Sequence, residues 1–261
     1  LRLLWDETLD RLRTRFPDGL LSGFTDVLDA GQEVLRKPTF VVGFAAVVYA
    51  VVATRSIWAG ALPVTGYSLP PPDSAAAALG AYAGGWNPAG FGSPEVLHPS
   101  VAGTAVFQVL AFGKSGLATG LLTLVAFLSG IIGAARLMRR WGLSTISGYL
   151  AGVVMMGGPA LLALAGEGRW APVVALGALP WVMVAALRPV GDGWMPRLGR
   201  VAAVAVFSGV VGVFAPAALL IAPLGMLLWA AVGTGPRRAG VVRVLAGTVL
   251  AVPLLMPWIL Y

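Results

Sequence analysis

The sequence predicts an all-helical protein that crosses a membrane about seven times. Hydrophobic residues make up 58% of the chain and charged residues only 11%, with a mean hydropathy of +0.85, whereas soluble domains carry roughly 25% charged residues. The apolar residues form long runs, and a membrane-spanning helix needs about 20 of them. The 35 glycines and 19 prolines fit membrane helices, in which both residues are frequent.

The net charge of +7 does not indicate a nucleic-acid partner. The basic residues form short clusters between the apolar runs, where they act as orientation signals and can touch anionic headgroups of membrane lipids. The chain has no cysteine, which excludes disulfides and thiolate chemistry.

Residues 1–37 form a separate region, predicted as a cytoplasmic amphipathic juxtamembrane segment. Hydrophobic residues recur at helical spacing in residues 1–16, with charges between them, which indicates a helix lying on the membrane or packing on a neighbouring domain. The chain starts without Met and shows no secretory signal, so we expect a piece of a longer polypeptide.

The second region, residues 38–261, contains the apolar runs. In chain order they are Pro38–Trp58, Gly116–Ala135, Leu143–Ala165, Trp170–Leu187, Val201–Phe214, Ala217–Val232 and Val241–Tyr261. Arg36 and Lys37 precede the first run and predict a cytoplasmic N-terminus. With this orientation the dense basic clusters all fall on the cytoplasmic side, and we expect a multi-pass protein of the plasma membrane.

A long outer loop, residues 59–115, follows the first predicted span. It contains two acidic residues, Asp73 and Glu95, and the only histidine of the chain, His98. Residues 101–113 are apolar but too few to cross a bilayer, which predicts a short interfacial or re-entrant helix that closes the loop.

Asp73 follows three prolines, which form a stiff extended stretch, and precedes an alanine-rich segment. This pattern predicts an N-cap for a helix over Ala75–Tyr82. The alternative is catalytic: a rigidly held carboxylate can act as a general base on an acceptor hydroxyl.

Glu95 and His98 are three residues apart, but Pro94 and Pro99 limit any helix between them to one turn. A hydrogen-bonded pair that orders the loop is favoured over a metal site, because hard cations need more oxygen ligands than this loop provides. We therefore predict no metal, with a divalent cation as the alternative.

Trp86 and Asn87 begin a turn-rich segment with exposed aromatic residues. Trp and Tyr favour the headgroup level of a membrane, but aromatic rings also stack on sugars and can line an acceptor groove. Both interpretations stay open.

Glu167 and Arg169 are the polar residues of the next outer loop. They can pair with each other, or Arg169 can hold a phosphate, because guanidinium recognises phosphate oxygens bidentately. Lys114 and Arg55, also expected outside, are further candidates for phosphate contact.

The apolar runs carry almost no charge, which argues against an ion-coupled transporter, since such proteins usually carry ionisable residues inside the membrane. Repeated prolines would nevertheless mark broken helices of the kind found in transporters. The sequence also contains no P-loop, GxSxG elbow or HExxH motif.

Three stretches carry a family resemblance. WNPAGFGSPEVLHPS (residues 86–100), the span ending in AARLMRRWG and the segment GEGRWAPVVALGALPWVMVAAL (residues 166–187) together resemble the multi-spanning region of large actinobacterial membrane glycosyltransferases. Those proteins have a W-[HN]-P-x-G-x-G-S segment after the first span. Their polytopic region has the GT-C fold, often follows a cytoplasmic family-2 glycosyltransferase domain, and is related to the mycobacterial arabinofuranosyltransferases.

The resemblance implies an inverting transfer on the outer face from a polyprenyl-phosphate-linked sugar donor to a cell-envelope glycan. It implies that an acidic residue of the first outer loop is the base: Asp73 first, Glu95 second, with His98 assisting and Arg169 on the donor phosphate. Seven spans without a soluble outer domain depart from that family, and so does the distance of Asp73 from the first span. The alternatives are a non-catalytic scaffold that anchors a partner and a transporter of lipid-linked sugars.

Overall fold

The computed structural model describes residues 37–55, 74–84, 99–189, 193–232 and 238–255, and the regular structure in these ranges is helical. Internal contacts divide the chain into two units, residues 1–45 and 46–261. In the first unit the described residues open helix α1, Pro38–Ala53, where the rings of Phe40 and Phe44 stack with centroids 6.3 Å apart.

The second unit contains the rest of the described helices. They are α2 Ala75–Gly84, α3 Ser100–Leu110, α4 Ser115–Arg140, α5 Thr145–Gly157, α6 Pro159–Gly166, α7 Trp170–Leu187, α8 Trp194–Phe214, α9 Ile221–Val232 and α10 Arg238–Ala251. Two 3₁₀ turns, Pro216–Leu220 and Val252–Leu255, follow α8 and α10.

Among the described residues, three helices, α4, α7 and α8, are long and apolar enough to cross a membrane, and the bent pair α5–α6 adds a fourth if it forms one span. Helix α7 has the predicted bounds, and α4 contains the predicted run and extends to Arg140. The predicted start of α8 at Val201 is wrong. The helix begins at Trp194 after the left-handed Gly193, so Arg197 and Arg200 lie on its first two turns rather than in a loop.

The other predicted spans contain shorter helices. Helices α1, α9 and α10 have 16, 12 and 14 residues, which makes them about 24, 18 and 21 Å long at 1.5 Å per residue. A bilayer core is about 30 Å thick. A total of seven spans therefore stays a prediction, while the helical class and the apolar spans above are observed.

Helices α5 and α6 meet at a bend of 44°. Pro159 begins α6 and has no N–H to continue the hydrogen bonding of α5. The hydroxyl of Tyr49 donates to the carbonyl oxygen of Gly157 at 3.3 Å, which satisfies one of the acceptors left at the break.

Pro180, one of the prolines that could mark a broken helix in the transporter alternative, does not break its helix. Helix α7 continues through it, although proline leaves the carbonyl of Leu176 without its helical donor. The hydroxyl of Ser129 on α4 donates to the next carbonyl, that of Gly177, at 3.4 Å. A neighbouring helix thus supplies polar contacts at the proline site, as is usual inside membranes.

Small residues bring α4 against α7. A Cβ atom on Gly177 would collide with the backbone of Ala126, and one on Gly133 would meet Trp181 at 2.7 Å. Contacts that advance along both helices in the same direction show that α4 and α7 run parallel. Helix α5 packs antiparallel on α4, with Gly148 and Gly152 against its backbone.

The remaining contacts define two ends of this unit. Trp170 meets Phe214, and Trp181 meets Phe207, so α8 runs antiparallel to α7. The arginine end therefore contains the C-terminal ends of α4 and α7 and the N-terminal ends of α8 and α10. The Glu167 end contains the N-terminal ends of α4 and α7, the C-terminal end of α8, and α3.

Candidate functional site

Five of the predicted site residues lie outside the described ranges, and their roles stay predictions. They are Asp73, Trp86, Asn87, Glu95 and His98. The other three, Lys114, Glu167 and Arg169, are described and lie at the Glu167 end.

Ser74 caps helix α2, whereas Asp73, the predicted cap, lies outside the described ranges. The backbone N–H of Ala77 donates to Ser74 Oγ at 3.1 Å. The capping side chain belongs to the residue that directly precedes the first helical residue, which here is Ala75. Burial raises the pKa of the Tyr82 phenol on this helix above its ordinary value of 10.0, so the hydroxyl stays neutral.

Gly168 positions Arg169. It adopts the left-handed φ of 76°, its N–H donates to the carbonyl of Ala165 at 3.1 Å, and the N–H of Arg169 donates to that of Leu164 at 2.8 Å. This pair of bonds is a Schellman motif, which ends α6. The chain then turns directly into α7, so the motif fixes the Arg169 backbone between two helices.

The predicted pairing of Glu167 with Arg169 is confirmed. Arg169 Nε lies 3.5 Å from Glu167 Oε2, and the two side chains are 37% and 57% exposed, respectively. An exposed pair of this kind contributes at most about 1 kcal/mol to stability. The ion pair with Glu167 therefore contributes little to holding Arg169 in place.

Aromatic contacts connect this charged pair to α3. The ring of Trp170, next to Arg169, lies edge-on to Phe214 with centroids 5.7 Å apart. Phe214 in turn packs on Gly103, where an added Cβ would lie 2.6 Å from the ring. The absence of a side chain at Gly103 thus lets α3 approach the start of α7 through Phe214.

Helix α3 carries its polar residues on the inside. Ser100, Thr104 and Gln108 are only 7%, 1% and 1% exposed, and their spacing of four residues aligns them along one face. The hydroxyl of Thr104 donates to the carbonyl of Val101 at 2.7 Å. We call this row the polar stripe.

The outer face of α3 is apolar. Val106, Val109 and Leu110 are 64%, 68% and 64% exposed, and Phe112 just after the helix is 93% exposed. Phe112 also has a φ of 52°, which is rare for a residue with a bulky side chain. A helix with polar residues inside and apolar residues outside suits contact with acyl chains. Its 11 residues, about 16 Å, exclude a full crossing, as predicted for the segment that closes the outer loop.

Helix α4 adds buried hydroxyls at the same end. Thr119 and Thr123 are fully buried, and the Thr123 hydroxyl donates to the carbonyl of Thr119 at 2.8 Å. Lys114 directly precedes α4 and is exposed. The Glu167 end therefore combines two basic side chains, one carboxylate and a buried row of polar groups.

The polar stripe was missed in the sequence, where residues 101–113 were treated as simply apolar. The signal was present, because Ser100, Thr104 and Gln108 recur every four residues in an otherwise apolar run. That spacing predicts one polar face on a helix.

Within the described ranges no group of three His, Cys, Asp or Glu side chains is placed to hold a metal ion, and Glu167 is the single acidic residue there. The alternative of a cation at Glu95 and His98 concerns residues outside those ranges.

No family model, curated protein or solved structure matches this chain. The resemblance to membrane glycosyltransferases therefore rests on the sequence segments themselves.

Proposed function

We propose that this chain is the GT-C-like module of a membrane glycosyltransferase, which transfers a sugar from a polyprenyl-phosphate-linked donor to a cell-envelope glycan. The Glu167 end would hold the site. It would face the outside of the plasma membrane, with the N-terminus in the cytoplasm.

One observation carries the proposal: the last residue of one resembling segment and the start of another are linked at the Glu167 end. Ser100 is the last residue of the WNPAGFGSPEVLHPS segment and the first residue of α3. Helix α3 reaches Phe214 through Gly103, and Phe214 contacts Trp170 in the second segment. Segments far apart in sequence are thus linked through one aromatic ring.

The convergence supports a division of roles. Arg169 would hold the donor phosphate, with Lys114 as a second cation, because Arg169 is a partly exposed and Lys114 an exposed cation at this end. The polar stripe would offer hydrogen bonds in an apolar environment. Glu167 would orient the guanidinium of Arg169, Trp86 and Asn87 would contact the sugars, and Glu95 and His98 would assist the base.

The transfer would proceed by displacement at the anomeric carbon. The acceptor hydroxyl oxygen forms the new bond while Asp73 takes its proton. The bond from the anomeric carbon to the phosphate oxygen breaks, and the polyprenyl phosphate leaves with the bonding electrons. Attack opposite the leaving group inverts the anomeric configuration.

Two other functions remain alternatives. A non-catalytic scaffold is favoured by the amphipathic pattern of residues 1–37, which fits anchoring of a partner such as a cytoplasmic glycosyltransferase domain. Transport of a lipid-linked sugar is favoured by the break between α5 and α6, since broken helices form the sites of many transporters.

The test is a transfer assay in proteoliposomes with a labelled polyprenyl-phosphate sugar and a glycan acceptor. Asp73→Asn should abolish transfer, whereas the matched change Asp192→Asn, outside the proposed site, should leave it intact. Arg169→Gln should weaken donor binding, and Arg139→Gln, an exposed arginine at the opposite end, serves as its control.

Full transfer by Asp73→Asn would exclude this residue as the base. Absence of transfer by the unmodified chain, together with retained binding of a partner through residues 1–37, would favour the scaffold. Movement of labelled lipid across the bilayer without transfer would favour the transporter.

A further inference from the structure

The arginine end contains an aromatic layer that joins three helices. The Trp181 indole N–H donates to the carbonyl of Ser129 at 2.9 Å, and its ring stacks on Phe207 with centroids 5.8 Å apart. The guanidinium carbon of Arg136 lies 4.7 Å from the centre of the Trp181 ring. Helices α4, α7 and α8 thus share one surface, with α7 between the other two.

Further arginines lie on the same surface, closer to the end. Arg140 follows Arg136 by one helical turn, and Arg200 precedes Phe207 by two turns, so each lies on the same face as its partner. Arg188 follows Trp181 by seven residues at the end of α7. We call the surface formed by Trp181, Phe207 and these four arginines the arginine groove.

The groove has no carboxylate to balance its charge within the part of the chain that the structure describes. The acidic residue described there, Glu167, lies at the opposite end. Nearby Arg243 already donates to the carbonyls of Ala186 and Arg188. Among the described residues, the four arginines of the groove therefore form a positive edge beside the aromatic rings of Trp181 and Phe207.

The position of the groove indicates an amphiphilic ligand. Helices α4, α7 and α8 are each long enough to cross a bilayer, so their common end lies at headgroup level in a membrane. Trp141 and Trp194 at this end are 40% and 69% exposed, as is typical of residues at the membrane–water interface. A lipid phosphate would pair with the arginines, and its acyl chain would pack on the aromatic rings.

We propose that the arginine groove is a binding site for an anionic phospholipid, with the lipid phosphate held by Arg140, Arg188 and Arg200 and an acyl chain lying on Trp181 and Phe207. Guanidinium groups bind phosphate oxygens by paired hydrogen bonds. This site is at the end opposite Glu167, and it does not depend on sugar transfer by the other end.

The experiment uses the full chain in detergent, titrated with phosphatidylglycerol or with phosphatidylcholine of the same acyl chains, and counts bound lipids by native mass spectrometry. The double variant Arg140→Gln/Arg200→Gln is compared with Arg139→Gln/Arg197→Gln, which changes two exposed arginines outside the groove and removes the same charge. Arg139 is exposed and directly precedes Arg140, so the two side chains leave α4 about 100° apart, and Arg139 is the matched control on that helix.

We expect phosphatidylglycerol to bind the unmodified chain more tightly than phosphatidylcholine. The groove variant should lose affinity on the order of tenfold, while the control pair stays near the original value. Arg140→Lys/Arg200→Lys should recover only part of the loss, because an ammonium group cannot make the paired contact.

Equal binding of the two lipids, or equal losses in both double variants, would overturn the proposal in favour of non-specific charge attraction. Displacement of the lipid by polyglutamate at matched charge would overturn it in favour of an acidic protein partner. Displacement by glycerol phosphate alone would show that the acyl chain contributes nothing.

Melting temperatures without lipid establish that each variant is folded. The comparison of Arg140→Gln with Arg139→Gln repeats the test with single changes at exposed residues.

Discussion

The C-terminal ends of α6 and α7 are completed in opposite ways. Helix α6, at the Glu167 end, is closed by its own backbone through Gly168. Helix α7, at the arginine end, is followed by Arg188 and Pro189, and proline has no N–H to close a helix. There Arg243 from α10 donates to the carbonyls of Ala186 and Arg188 at 2.8 and 3.1 Å.

This contrast predicts how far the structural effect of a mutation at each helix end should extend through the fold. A backbone closure is local, so altering it should displace Arg169 with little effect on the rest of the fold. A closure by a distant side chain joins α10 to α7, so its loss should loosen the unit. A cation is also the favoured charge at a helix C-terminus.

The largest effect should come from separating α4 and α7, on which both ends depend. Gly177→Val places a side chain against the Ala126 backbone, which cannot move aside, and should cost about 3 kcal/mol. Unfolding in a denaturing detergent series measures the loss. Gly116→Val, where no atom lies within 4 Å of the new Cβ, should unfold like the unmodified chain; similar losses in both variants would contradict this packing.

The next effect should come from Arg243→Ala at the arginine end. It removes two charge-assisted hydrogen bonds from the end of α7, and we expect a loss of about 2 kcal/mol in the free energy of unfolding. Thermal unfolding in detergent measures it, with Arg139→Ala as the control on an exposed arginine of the same end. An unchanged melting temperature in Arg243→Ala would mean that α10 does not hold α7.

A smaller effect should follow Gly168→Ala at the Glu167 end. The left-handed φ of 76° costs a residue with a Cβ about 1 kcal/mol. Gly166→Ala, two residues earlier, has open space and helical backbone, and should instead stabilise by about 0.5–1 kcal/mol. Opposite signs in the two variants would establish the closure at Gly168; a loss in both would point to a general intolerance of side chains here.

The smallest effect should come from Glu167→Gln. The pair with Arg169 is well exposed, so its removal should change the free energy of unfolding by less than about 0.5 kcal/mol, and less still in high salt. If Glu167→Gln destabilises as much as Arg243→Ala does, side-chain contacts at the Glu167 end contribute as much to the stability of the unit as those at the arginine end. Melting curves at two salt concentrations decide between these outcomes.

The sequence was sufficient for features that depend on local pattern. Long apolar runs predicted α4 and α7, and the glycine after Glu167 is the residue type that ends a helix. It was insufficient where a partner from another helix decides the outcome. The sequence allowed a break at Pro180, but the helix continues. The polar contact at this proline comes from Ser129, which lies 51 residues earlier and forms no sequence pattern with Pro180. Only the packing of α4 on α7 brings the two together.

The candidate site likewise contains one feature that the sequence predicted and one that it did not. The Glu167–Arg169 pair follows from spacing of two residues, and it was predicted. The contact chain from Ser100 to Trp170 passes through Gly103 and Phe214. No local sequence pattern predicts that a glycine on one helix packs against an aromatic ring on another. The start of α8 was predicted too late for a different reason: Arg197 and Arg200 can lie on a membrane helix because long basic side chains extend toward the interface.

The parallel packing of α4 and α7 constrains the order in which the protein is made. Two parallel neighbours need an intervening segment that returns the chain to its starting end, and residues 141–169 provide it. While a ribosome is still adding that segment, the glycine-lined face of α4 has no α7 to meet. This face therefore stays open to lipid or to the insertion machinery until residue 177 has been synthesised. A ribosomal pause at that stage would delay the most extensive helix contact of the described fold.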